Sequence, residues 1–127
     1  MISKGYVGLF DQPIDDDKIR LFILSWLERF ERIEQVCPGQ SGGALTVNIT
    51  KLEDILTDPT PQFRIVMGDD FAWAYLSKGR HVIETTGMPV DEISMCLEVL
   101  LELPGLKEVI EQHDDKRLDE LEAQGLM

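Results

Sequence analysis

The tightest constraint on this chain lies between Phe63 and Thr85. Three runs rich in β-branched and aromatic residues, Phe63–Met67, Phe71–Leu76 and His81–Thr85, are separated only by Gly68-Asp69-Asp70 and Ser77-Lys78-Gly79-Arg80. Parallel neighbours need a crossover of about a dozen residues or more, so links this short allow only antiparallel pairing. The centre of the chain is therefore read as a β-meander. Along its middle run Phe71, Trp73 and Tyr75 share one face and Ala72, Ala74 and Leu76 the other, because strand side chains alternate. The small residues would let a helix approach closely. The aromatic row either packs beneath the helices or faces outward as a binding surface.

Flanking segments supply what must cover that sheet. Tyr6-Val7-Gly8-Leu9-Phe10, running into Asp11-Gln12-Pro13, predicts a short strand ended by a turn. Asp15, Asp16 and Asp17 then precede Ile19, Phe22, Ile23, Trp26, Leu27, Phe30 and Ile33, the spacing of one apolar helical face behind an acidic first turn. Cys37-Pro38-Gly39 ends this helix. Leu45, Val47 and Ile49 alternate with Thr46, Asn48 and Thr50 as a half-buried strand, and Lys51–Leu56 predicts a helical turn. After Gly87-Met88-Pro89, an apolar stripe from Val90 through Ile93, Cys96, Leu97, Leu100 and Leu101 to Leu103 predicts a second main helix. Pro104 kinks it or starts another, with Leu106, Val109 and Ile110 continuing the helical spacing.

The expected architecture is an α+β two-layer sandwich: an antiparallel meander sheet of four to five strands, with two main helices packed on one face and the other face partly open. Residues 1–112 form the single domain in this reading. Residues 113–127, where only Leu118, Leu121 and Leu126 interrupt many charges, form a C-terminal tail that is a frayed helix or a partner-binding segment.

Charge narrows the function. The 127 residues carry 24 acids against 12 bases, a net −12. Such a surface repels phosphate backbones and anionic lipids, which argues against nucleic-acid and membrane partners. No run approaches the roughly 18 apolar residues of a membrane span, and the first ten residues lack a leader-like apolar core, so the expected location is cytoplasmic. Cys37 and Cys96 belong to no CxxC pair and are read as reduced thiols. Between Asp91 and Glu122 eleven acids face three bases, so the excess is concentrated there.

Motifs for chemistry fail on their context. Gly39-Gln40-Ser41-Gly42-Gly43 has the spacing of a hydrolase nucleophile elbow, but it follows a helix and precedes a strand, the inverse of what an elbow requires. His81 and His113 lack ligand-spaced partners, so no metal is expected, and no phosphate-cradling glycine pattern or other cofactor anchor occurs. No catalytic residue is assigned.

These features point to an acidic, non-catalytic interaction protein that binds a basic protein partner, most concretely an immunity or inhibitor-type protein neutralising a toxin or nuclease. The alternatives are an acidic adaptor, chaperone or homo-oligomeric assembly subunit, then a small enzyme without a recognisable motif. A homodimer would use the Val90–Leu103 stripe or the aromatic row. The expected recognition residues are Glu98, Glu102, Glu108, Glu111, Asp114 and Asp115, joined by Asp69, Asp70 and Trp73.

Overall fold

The structure, a computed structural model, describes residues 4–30, 33–36, 44–46, 52–67, 70–88 and 97–127. The chain runs β1 (Lys4–Phe10), α1 (Asp16–Arg29), β2 (Ile33–Val36), β3 (Ala44–Thr46), α2 (Leu52–Ile55), β4 (Gln62–Met67), β5 (Asp70–Leu76), β6 (Val82–Met88), α3 (described over 97–102), β7 (Leu106–Glu111) and α4 (Asp115–Ala123). One seven-stranded antiparallel sheet results, in the order β3-β2-β4-β5-β6-β1-β7. The α+β class and the β4-β5-β6 meander agree with the sequence reading. The sheet as a whole is wider than four to five strands and is not a simple meander, because β1 lies between β6 and β7.

Helix α1 forms where its local signals place it. Asp15 caps it, its carboxylate accepting from the Lys18 amide at 2.9 Å, with Asp16 and Asp17 in the first turn. Ile19, Phe22, Ile23 and Trp26 are buried along one side. The helix stops earlier than its apolar spacing suggests: Phe30 is extended at φ −124°, ψ 134°, and Ile33 opens β2. Phe22, Trp26, Phe30, Phe63 and Ile83 join one large core, and Ala72 and Ala74 of β5 are fully buried in it. The small face of β5 thus does admit the helices closely.

Helix α3 adds Val99, Leu100 and Leu103 to the same core that α1 covers. Gly8 of β1 makes room for it: a Cβ there would stand 3.2 Å from Leu100 Cδ2. Residues 89–96, and with them Cys96 and the first half of the apolar stripe, lie outside the described residues, as do Cys37, Ser41 and 47–50. The helical continuation expected beyond Pro104 is replaced by strand β7. Gly105 turns the chain at φ +81°, and Leu106–Glu111 pair with β1 through a bulge at Leu9/Phe10.

The C-terminal segment is a structural layer. Helix α4, capped by Asp114, buries Leu121 against Val7, Leu9, Val82 and Ile110 on the sheet face opposite α1. The Leu126 carbonyl accepts from the His81 amide at 2.8 Å, fastening the end of the chain to the start of β6. The protein therefore has three layers over β6-β1-β7 and two over β4-β5, where the second face carries no described helix. Among the described residues no helix is long and apolar enough to cross a membrane.

Candidate functional site

The uncovered half of the second face is built by strand alternation and register. Glu34, Arg64, Trp73, Thr86 and Gly5 form one cross-strand row, with Glu34↔Arg64, Arg64↔Trp73, Trp73↔Thr86 and Thr86↔Gly5 as successive partners. Gln62, Tyr75, Glu84, Val7 and Ile110 form the next. Sequence reasoning left the aromatic row open between core and surface. Trp73 is half-buried and Tyr75 exposed, both on this second face, while the side chain of Phe71 lies outside the described residues.

In the first row the charges are matched. Arg64 meets Glu34 at 3.1 Å and lies 5.7 Å from the Trp73 ring centroid. Burial leaves Glu34 only 8% exposed, and the Arg64 guanidinium beside it offsets the cost of holding a charge there. The Arg64 Nε is buried without a hydrogen-bond partner among the described residues. Trp73 and Tyr75 stack with centroids 6.4 Å apart, 11° from parallel.

In the second row they are not. Glu84 stands across from Tyr75 with neither an ion pair nor a hydrogen bond among the described residues. Burial pushes its carboxyl above the ordinary range. Burial also raises the Tyr75 phenol, and the nearby Glu84 charge adds to it, against a hydrogen bond with Gln62. Between these rows and α4 lies a cleft of about 170 Å³, lined by Tyr6, Val7, Tyr75, Glu84, Thr86 and Leu118 among others. Gln112 closes one end: Thr86 donates to its Oε1 at 3.5 Å, and it can lie there because Gly5 has no side chain to collide with it.

The residues singled out from sequence are spread around the molecule. Glu98 and Glu102 are exposed on α3, with Glu102 paired to Arg29 of α1 at 2.5 Å. Glu108 of β7 is gripped by Arg117 of α4 at 2.7 Å, which holds its carboxyl below the usual range. Glu111, Asp114 and Asp115 come together at the exposed β7–α4 turn, where Asp114 accepts from the Arg117 amide at 3.2 Å. Asp69 and the side chain of Asp70 lie outside the described residues, and Trp73 belongs to the open sheet face. Tyr75 was seen only as part of the aromatic row, and Arg64, Glu84, Thr86 and Gln112 were missed. Their alternation is visible in sequence, but their neighbours are set by register and by α4.

The histidines take no part in the cleft rows. His81 Nδ1 donates to the Phe10 carbonyl at 3.2 Å, and His113 borders a depression of about 20 Å³, room for little more than one water. Among the described residues no three His, Cys, Asp or Glu side chains are arranged to hold a metal. The cleft can bind: it offers an unmatched carboxylate, an aromatic wall and amide and hydroxyl groups. No protein-family model, curated protein or solved structure matches this chain.

Proposed function

We propose that this is an acidic, non-catalytic interaction protein of the cytoplasm that binds a basic protein partner, as an immunity or inhibitor-type protein does in neutralising a cationic toxin or nuclease. The observation that supports this is how the bases are used. Arg20, Arg29, Arg64, Lys78 and Arg117 are held in internal ion pairs, while Lys18 and Arg80 donate to backbone carbonyls. Glu98, Glu111, Asp115, Asp119 and Glu122 remain exposed without an ion pair among the described residues. Asp115, Asp119 and Glu122 repeat at helical spacing along one exposed stripe of α4. The excess charge is therefore directed outward, where it steers a cationic surface into contact.

Affinity capture from the host, wild type against the triple variant Asp115→Lys/Asp119→Lys/Glu122→Lys, tests the reading. The wild type is expected to retain one strongly basic protein. Its association rate should fall at least about tenfold in the variant, and steeply between 0.01 and 0.15 M salt as the Debye length contracts from about 30 to about 8 Å. A retained partner that is neutral or acidic, or a rate indifferent to salt, would refute it. Self-association alone would favour the assembly-subunit alternative.

A further inference from the structure

Two carboxylates on the second sheet face are drawn out of water, and the fold treats them differently. Glu34 has Arg64 at 3.1 Å. Glu84, three strands away on β6, has no cation among the described residues although Arg20, Arg29, Lys78 and Arg117 are spent on internal pairs elsewhere. A carboxylate held half out of water without a partner is unfavourable for the isolated molecule. It is placed beside a cavity of about 170 Å³, space for several waters. The walls of that cavity are a phenol ring stacked on an indole, a threonine hydroxyl and a carboxamide.

We propose that this cleft is a receptor for an arginine side chain presented by a protein partner. A guanidinium is planar, so it can lie against the Tyr75 ring, and it can direct paired N–H groups at Glu84. Thr86 and Gln112 supply oxygens for its remaining donors, and Leu118 and Val7, which pack together on this face, take the methylene stem. An ammonium offers neither the plane nor the fork and is more strongly hydrated, so lysine fits less well. The Arg64–Trp73 contact, 5.7 Å from guanidinium to ring centroid, shows the same kind of packing made internally on the adjacent row. The assignment rests on the reading of the protein as a binder of basic partners. It places the anchoring contact in the cleft and leaves to the outer stripe of α4 the long-range attraction.

The test uses the full chain and the probe N-acetyl-argininamide, followed by amide chemical shifts. Saturable shifts are expected at Tyr75, Glu84 and Thr86, with a Kd of about 1 mM, the range of a single small cation. The neutral citrulline analogue should bind at least about tenfold more weakly, and so should argininamide to Glu84→Gln. That variant must also remain folded, with a Tm at or above that of the wild type because an unpaired charge has been removed. Absence of saturable shifts, equal shifts with the citrulline analogue, or undiminished binding by Glu84→Gln would overturn the assignment. The two readings fail separately. A basic partner bound equally by wild type and Glu84→Gln sinks the cleft and spares the acidic surface, whereas argininamide in the cleft with no basic protein captured does the reverse.

Discussion

At the scale of single residues, the interior is dominated by Trp26, which is fully buried between Phe22 and Phe30 with ring centroids at 4.9 and 5.5 Å. Its indole N–H has no partner among the described residues, so its contribution is packing alone. Trp26→Ala is expected to cost about 3–5 kcal/mol, read from urea denaturation, whereas Trp26→Phe, which also removes the unsatisfied N–H, should cost much less. A midpoint unmoved by the alanine variant would contradict the burial. Glu108 and Glu84 give opposite pH responses. Arg117 lowers the Glu108 carboxyl, so the stabilisation it provides is complete above the unfolded value of about 4.3 and fades as pH falls through the lower folded value. Glu108→Gln should therefore be less stable than wild type at pH 7 and equal to it near pH 2, with a small difference because the pair is exposed. Burial raises Glu84, so its charged form costs stability at pH 7 and the cost is relieved as pH falls through the raised value. Glu84→Gln should be the more stable protein at pH 7 and lose that advantage in acid.

Among the elements, α4 separates what local sequence can announce from what it cannot. Leu121→Ala is expected to cost about 2–5 kcal/mol, since Leu121 is completely buried against Val7, Leu9, Val82 and Ile110; an effect under about 0.5 kcal/mol would mean that the helix does not dock. From sequence the same residues look like a charged tail, because three leucines among many charges make a weak stripe. What gives them a partner is the second face of β6-β1-β7, whose apolar side chains line up only once register is known. Strand β7 was illegible for a similar reason. Leu106, Val109 and Ile110 fit helical spacing as well as Leu106, Glu108 and Ile110 fit a strand, and the open hydrogen-bonding edge of β1 decides between them. Helix α1 was legible because its cap, acidic turn and apolar stripe are all local, and the meander because its links are short. Of the site, alternation exposed the aromatic row, but the isolation of Glu84 is a property of neighbours from β1, β5 and α4 that no local pattern carries.

For the whole molecule, a net charge of −12 on a single sheet flanked by helices is a standing self-repulsion, which the ion pairs of Arg20, Arg29, Arg64, Lys78 and Arg117 offset in part. The position of β1 has a consequence in time. Among the described residues β1 pairs only with β6 and β7, so residues 11 to 105 must be made after it before both of its edges can be filled. At about 5–20 residues per second that is a wait of roughly 5–20 seconds, during which at least one edge of the strand that carries Val7, Leu9 and Phe10 stays open. Until β6 is made, β1 is an apolar strand with both edges open, and a chain stalled between β1 and β6 exposes it to pairing with other chains.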